Sequence, residues 1–259
     1  MQVREINKQE LHVLKDDGSI IAGVNIGYYR PWIYPLCTPA GVNILREFPP
    51  DHGFHNGAFF GHYPLVANGL THNFWGAPPF RSESDEIAVW VGRLSSRLAS
   101  VKVHENNVTL ILDCAWISHE GDTIVDEQRT FSIETSFEQT RLHTKSTLLN
   151  TSKQLVSFNK SKCGGHAYRL SAQAFAFEDC IVTTSDNEIG IERAHGTCAE
   201  HDKKITISSG KTTLELGASP DCFYFVRSYG LVCANPFLEL QKKLHANESY
   251  TFYSKLVIS

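Results

Sequence analysis

Alternation of apolar and polar side chains is the sequence feature that most constrains the fold of this chain. From about residue 98 onward the dominant period is two. In the stretch 108–116, one continuous apolar face is formed by Val108, Leu110, Leu112, Cys114 and Trp116. Successive side chains of a β-strand point to opposite faces of a sheet, so this pattern predicts a strand with one buried face.

Similar short runs recur, and turn signals such as Ser209-Gly210 separate them. The other predicted strands cover about 99–104, 128–134, 139–149, 154–159, 169–176, 203–208, 212–216, 222–228 and 249–258. Ten or so short strands with tight turns predict an antiparallel sandwich or barrel. The best helical candidate is 235–244, where a turn and a strand fit nearly as well. No linker or repeat divides the chain, which predicts a single domain over residues 1–259.

The first third of the chain differs from the rest in amino-acid composition. Residues 28–80 contain eight of the ten Pro and closely spaced His, and they are rich in aromatic residues. The aromatic residues of this region are Tyr28, Tyr29, Trp32, Tyr34, Phe54, Phe59, Phe60, Tyr63, Phe74 and Trp75. We predict long, well-packed loops here rather than regular strands, and such loops commonly carry binding groups. Aromatic rings suit the apolar faces of sugars, although packing under the loops is an alternative role for them.

Composition narrows the classes of partner. A net charge of -4, with 20% charged residues and no dense basic patch, argues against a nucleic-acid surface. Charges run throughout residues 1–19, and no window approaches the roughly 18 apolar residues of a membrane span. These features predict a cytoplasmic protein without a signal peptide or a membrane partner. The seven Cys form no CxxC, so we expect them to be reduced.

Histidines are the first candidates for chemistry. In DHGFHNG (51–57), Gly53 and Gly57 permit backbone conformations that would let His52 and His55 turn toward a shared point. Two imidazoles can share a metal, or one can act as an acid or base. His62 and His72 follow within the same 21 residues. The alternative is that each histidine satisfies a buried loop carbonyl.

Three later segments add polar candidates. Glu127 and Arg129 lie two residues apart on a predicted strand, and they either form an ion pair or hold a ligand oxygen. His166 and Arg169 follow the pair Gly164-Gly165. If that strand enters the same concave face, His166 is a second proton-transfer candidate and Arg169 a clamp for a hydroxyl or carboxylate. Tyr229 precedes Gly230, where a turn role is the alternative. The sequence lacks GxGxxG, Walker A and GxSxG motifs.

Two stretches carry a family resemblance. RPWIYPLCTPAG (30–41) and REFPPDHGFHNG (46–57) resemble the motifs RPY-x-x-PL-x-TP-x-G and FP-x-DHPHHRG of the PmoA-like or DUF6807 family, labelled "methane oxygenase PmoA". Asn68-Gly69 and Phe74-Trp75 correspond to the later NG-x-x-FW motif of this family. His52 and His55 are retained, whereas Phe54 and Asn56 stand where the family has His and Arg. The copper enzyme that oxidises methane uses membrane-embedded helices, which this sequence lacks.

The resemblance implies an all-β fold, an antiparallel β-supersandwich like that of galactose mutarotases and related carbohydrate-active proteins. We therefore predict a carbohydrate-active enzyme of the epimerase, isomerase or lyase type, because such reactions remove one proton and return another. The predicted catalytic residues are His52, His55, His62 and His166. The predicted substrate-binding residues are Arg30, Tyr34, Asn68, Trp75, Glu127, Arg129, Arg169 and Tyr229.

Two alternatives remain open at the level of sequence. One is a metal-dependent enzyme on a small polar substrate, with a divalent ion held by His52, His55 and His62. The other is a non-catalytic carbohydrate-binding module whose histidines are structural. The preferred hypothesis needs no cofactor, and a small-molecule carbohydrate is the expected partner in either the preferred or the binding-module case.

Overall fold

The structure of the protein, a computed structural model, describes residues 1–27, 29–76, 91–210 and 212–259. Tyr28 and the end of the predicted loop region, 77–80, therefore lie outside the described residues. Every pairing between the strands of the described part is antiparallel. No helix in that part is long and apolar enough to cross a membrane.

Ten strands form the first sheet, in the order β1-β2-β3-β4-β5-β11-β16-β15, with β6 beside β5 and β17 beside β11. Their bounds are β1 Gln2–Asn7, β2 Glu10–Leu14, β3 Ile20–Asn25, β4 Trp32–Leu36, β5 Ala58–Ala67, β6 Leu70–His72, β11 Val156–Arg169, β15 Phe223–Arg227, β16 Leu231–Asn235 and β17 Lys242–Leu244.

Eight strands form the second sheet, in the order β12-β13-β14-β18-β10-β9-β8-β7. Their bounds are β7 Arg93–His104, β8 Asn107–Ile117, β9 Thr123–Thr135, β10 Thr140–Asn150, β12 Ile181–Thr184, β13 Ile205–Ser209, β14 Thr212–Ala218 and β18 Ser249–Ile258. One short α-helix, α1 (Ile191–Ala194), and a 3-10 turn (Glu200–Asp202) complete the described elements. The predicted all-β, two-sheet architecture is confirmed.

The main apolar core includes inward side chains of both sheets. On β8 the alternation predicted from sequence is observed, because Val108, Leu110, Leu112, Cys114 and Trp116 are all buried. A second apolar cluster lies around Phe59, Trp75, Ala167, Phe225, Leu231 and Cys233. The ten-stranded sheet thus has apolar packing on both faces near β5 and β11, which explains why β5 shows no alternation in its sequence.

Two sequence-based expectations about the secondary structure were wrong, and a third had been left open between two alternatives. Residues 28–80 contain β4, β5 and β6 rather than loops alone, and the strand predicted at 169–176 ends at Arg169. After Arg169 the chain turns, and the amide of Phe175 donates to the carbonyl of Ser171. The candidate helix 235–244 is a turn followed by β17, the alternative that fitted nearly as well.

Candidate functional site

The pairing of β5 with β11 divides the predicted site residues between two faces of one sheet. His62 packs on Phe158 and Phe237 of the main core, with ring centroids 5.2 and 4.6 Å apart, and His166 stacks on Phe252 at 4.4 Å. Phe59 and Ala167, at odd positions of the same strands, belong to the second cluster. The four candidate histidines therefore do not converge, since His62 and His166 face the interior.

The outer-face cluster is the group that the structure brings together on the opposite face. It comprises Arg30, Asp51, His52, Phe54, His55, Phe59, Trp75, Arg169 and Tyr229. Six of these nine were predicted from sequence as catalytic or substrate-binding residues. The loop between β4 and β5 supplies Asp51, His52 and His55.

Tight backbone contacts shape this loop. The amide of His55 donates to the carbonyl of His52, and the amide of Phe48 donates to the carbonyl of His55. Gly57 has φ +54°, and a Cβ placed there would lie 2.1 Å from the carbonyl oxygen of Ile33. Only glycine fits this close approach, so the last residue of DHGFHNG fixes the loop against β4.

Asp51 joins His52 to Arg169. Both carboxylate oxygens accept from Arg169 Nη2, at 2.8 and 2.6 Å, and Oδ2 also lies 2.9 Å from His52 Nδ1. Partial burial raises the pKa of Asp51, but hydrogen bonds from Arg169 and His52 outweigh it and bring the pKa down to about 2. The ionised carboxylate accepts from Nδ1–H of His52, which leaves Nε2 to act as a base.

His55 lies beneath His52. The two rings stack with centroids 4.7 Å apart and planes 5° from parallel, and His55 is only 1% exposed. Burial, reinforced by the neighbouring His52 ring and the charge of Arg169, lowers the pKa of His55 to about 2, so this ring is neutral at physiological pH. Its Nδ1 has no hydrogen-bond partner among the described residues. His55 can donate or accept a hydrogen bond, but it binds a proton too weakly to be an efficient base.

Two cationic side chains flank the histidines. Arg169 lies over the Tyr229 ring at 4.8 Å, and Arg30 lies over the Phe59 ring at the same distance. Arg30 Nη2 donates to the carbonyls of Trp75 and Gly76, each at 2.8 Å. Burial lowers the pKa of Arg30 to about 10, which still leaves it charged at neutral pH.

Tyr229 forms part of the exposed rim of the cluster. Its ring stacks on His52 with centroids 4.8 Å apart, and its side chain is partly open to solvent. Burial, together with the nearby Cys233 thiol, raises the pKa of Tyr229 to about 12. The phenol is therefore protonated at neutral pH, and it can donate a proton or a hydrogen bond to a bound molecule.

The cluster does not fit a shared metal ion. A metal lies close to the plane of each imidazole that binds it, at about 2.0–2.1 Å for zinc. The parallel, stacked rings of His52 and His55 cannot both direct a lone pair at one ion, and His62 lies on the other face. Within the described ranges, no group of three or more His, Cys, Asp or Glu side chains could hold a metal.

Glu127 and Arg129 lie between the sheets rather than at the outer-face cluster. Arg129 donates from Nε and Nη2 to the two carboxylate oxygens of Glu127, at 2.7 and 2.8 Å, and both side chains are fully buried. Trp116 Nε1 donates to the same carboxylate at 2.9 Å. The predicted substrate-binding role is incompatible with this position, and the ion-pair interpretation is the one observed.

His166 continues this interior network. Ser146 Oγ donates to Glu127 Oε1 at 2.7 Å, so it must accept from Nε2–H of His166, 2.9 Å away. Nδ1 of His166 is then an acceptor for the Ser254 hydroxyl at 2.8 Å, which in turn accepts from Tyr168 at 2.7 Å. Burial lowers the pKa of His166 well below its usual value. His166 is a neutral core histidine, and its predicted catalytic role on the outer face is not supported.

The remaining predicted site residues, His62, His72, Asn68 and Tyr34, lie away from the outer-face cluster. His62 and His72 each place Nε2 near a carbonyl, that of Pro64 at 3.0 Å and that of Ala67 at 3.4 Å, as the structural alternative predicted. Asn68, with φ +53°, forms the exposed hairpin turn between β5 and β6, about 30 Å along the strand from Phe59. Tyr34 packs partly against the main core.

Sequence reasoning missed the role of Asp51 and of the hydroxyl groups in the interior. Asp51 could have been found, because a carboxylate directly beside a candidate histidine is a ready partner for Nδ1. Ser146 and Ser254 carry no local signal. They lie 108 residues apart in the chain and meet His166 only through the packing of the two sheets.

Comparisons with known proteins support the family and the fold. The model of DUF6807, a family of unknown function, matches residues 23–259. No curated protein matches the sequence. The label "methane oxygenase PmoA" gains no support from these findings.

Solved structures resemble the chain at low identity. An alpha-galactosidase from Geobacillus stearothermophilus is 10% identical with a TM-score of 0.52, and the match covers 100% of this chain and 41% of that one. A galactose mutarotase related enzyme from Lactobacillus acidophilus is 10% identical with a TM-score of 0.45, covering 100% and 97%. A galactose mutarotase-like protein from Clostridium acetobutylicum is 12% identical with a TM-score of 0.45, covering 96% and 92%.

Proposed function

This chain belongs to the DUF6807 family, and we propose that it is a carbohydrate-active enzyme that moves protons at a bound sugar, as an epimerase, isomerase or lyase does. The observation that carries the proposal is the Asp51–His52 pair beside Tyr229. A carboxylate fixes the tautomer and orientation of an imidazole whose other nitrogen is left for proton transfer. The structure of an alpha-galactosidase resembles that of this chain, and this agrees with a sugar as the substrate of the proposed reaction.

The proposal assigns each residue a distinct task. His52 is the base that accepts a proton from the sugar, Asp51 positions it, and the Tyr229 phenol is the acid that returns a proton. His55, neutral and buried, supports His52 from below and offers a hydrogen bond. No bound metal takes part in the proposal, and metal analysis of the purified protein tests that point.

The test is proton exchange into sugars. A panel of aldoses and ketoses is incubated with the protein in D2O, and NMR follows deuterium incorporation, interconversion of anomers and formation of new double bonds. We expect His52→Gln to lower the rate roughly 10²- to 10⁴-fold, with sugar binding retained. His104→Gln, on the exposed end of β7, is the matched control and keeps the full rate.

Two outcomes would contradict the proposal. Turnover that survives His52→Gln would show that the Asp51–His52 pair is not the base. Binding of sugars without any exchange or interconversion by the unmodified protein would favour the binding-module alternative, in which the stacked rings serve only as a platform.

A further inference from the structure

Arg30 is the buried cation of this protein that lacks a counter-ion among the described residues. It is 1% exposed, and the two hydrogen bonds of its Nη2 go to neutral carbonyl groups. The other two arginines that are buried in the described part of the chain are each paired with a carboxylate, Arg129 with Glu127 and Arg169 with Asp51. An unpaired buried charge is costly, so its presence needs an explanation.

Unused donors accompany this charge. Arg30 Nη1, Arg169 Nε and Arg169 Nη1 are buried atoms without hydrogen-bond partners in the described part of the chain, as is His55 Nδ1. Both arginines lie close enough to His55 for their charges to lower its pKa. Four of the seven such atoms found in the described residues thus belong to the outer-face cluster. Buried donors of this kind normally have partners, which indicates that a bound molecule supplies them.

The charges of the cluster identify the kind of molecule. Two guanidinium groups and one carboxylate leave an excess of one positive charge, since His55 is neutral and His52 must be neutral to act as a base. A carboxylate carries one negative charge and balances this excess. A phosphate monoester carries about 1.5 to 2 negative charges and would leave the site negative.

We propose that the outer-face cluster selects an anionic sugar, with Arg30 binding the oxyanion, and that a sugar acid such as a uronate is the preferred class. This inference rests on the proposed function, because it concerns the substrate of the same site. Arg30 determines specificity, while His52 and Tyr229 act on the sugar. Phe59 and Tyr29 hold the guanidinium, whose carbon lies 4.8 and 5.6 Å from their ring centroids.

Calorimetric titration tests the inference with matched sugars. D-glucuronate is compared with D-glucose, D-galacturonate with D-galactose, and glucose 6-phosphate serves as the phosphate arm. We expect at least one uronate to bind roughly 10- to 100-fold more tightly than its neutral counterpart, the gain typical of hydrogen bonds to a charged group. Arg30→Gln should bring that ratio close to one, because the oxyanion loses its charged partner. Arg97→Gln, at an exposed ion pair on β7, is the control and keeps the preference.

The outcomes separate this inference from the proposed function. Neutral sugars that bind and react as well as uronates overturn the inference alone, and so does a preference that persists in Arg30→Gln. Failure of every sugar to bind overturns both. Tighter binding of glucose 6-phosphate than of the uronates would overturn the proposal that the preferred sugar carries a carboxylate. It would still support binding of an oxyanion by Arg30. The comparison of uronates with neutral sugars is made in the unmodified protein, so it does not depend on how a variant folds. Arg30→Lys, which keeps the charge, should retain part of the preference for uronates.

Discussion

Two arginine–carboxylate pairs of this protein differ in how much solvent reaches them. In the pair of Arg129 with Glu127 both side chains are fully buried, whereas Asp51 in the pair with Arg169 is 41% exposed. A buried pair pays a large desolvation cost, and it is retained only when the remaining polar atoms are satisfied. Trp116 and Ser146 satisfy the carboxylate of Glu127. The interior pair is therefore structural, whereas the Asp51 carboxylate of the outer pair is open to solvent.

Removing one partner of the interior ion pair should lower the free energy of unfolding more than removing both partners. Glu127→Leu leaves the Arg129 charge buried and unpaired, and we expect it to lower the free energy of unfolding by about 3–5 kcal/mol. The double variant Glu127→Leu/Arg129→Met should be at least about 2 kcal/mol more stable than the single one. Urea unfolding measures both. Asp113→Leu, which breaks the exposed pair with Arg97, is the control, with a loss below about 1 kcal/mol. Equal losses in the single and double variants would contradict this account.

Asp51 is expected to act on turnover through His52. Asp51→Asn removes the ionised acceptor that holds Nδ1–H of His52, so we expect the exchange rate to fall roughly 10- to 100-fold, less than for His52→Gln. Asp113→Asn makes the same chemical change on the other sheet and should leave the rate unchanged. An Asp51→Asn protein with full activity would exclude the positioning role.

The pair Gly164-Gly165 lets β11 approach its neighbouring strands. Gly165 has φ +81°, and a Cβ there would lie 2.3 Å from the carbonyl oxygen of Ala234 on β16. Gly165→Ala should therefore lower the free energy of unfolding by clearly more than the roughly 1 kcal/mol of an unfavourable φ alone. Gly69→Ala, with φ +74° and open space around the added methyl group, is the matched control. Equal shifts of the urea midpoint in the two variants would show that the close approach is unimportant.

The elements that sequence predicted best are those with one buried face. β8 shows the expected alternation because its outer face meets solvent, whereas β5 is covered on both faces and loses that signal. The same period of two also explains the division of the site. His166 and Arg169 are three residues apart on β11, so they must point to opposite faces, as do Phe59 and His62 on β5. This spacing can be read from the sequence. It shows which side chains share a face only once both segments are known to be strands.

Three buried histidines link the stability of the folded protein to pH. Burial lowers the pKa of His55 to about 2, that of His62 to about 3 and that of His166 well below its usual value. In the unfolded chain each has a pKa of about 6.5. The unfolded state therefore binds more protons below this pH, so the folded state is favoured above about 6.5 and loses stability as the pH falls below it.

Protonation of these histidines in the unfolded chain should lower the free energy of unfolding by several kcal/mol at mildly acidic pH. His55 and His62 each contribute about 1.4 kcal/mol of lost stability between pH 7.5 and 5.5, or about 3 kcal/mol together, and His166 acts in the same direction. This loss is a large part of the 5–15 kcal/mol typical of a folded protein. Urea unfolding at the two pH values measures the loss. His62→Gln should reduce the difference by about 1.4 kcal/mol, whereas His104→Gln, at an exposed site, should leave it unchanged. A free energy of unfolding that is the same at pH 7.5 and 5.5 would mean that these rings are not buried in the neutral form.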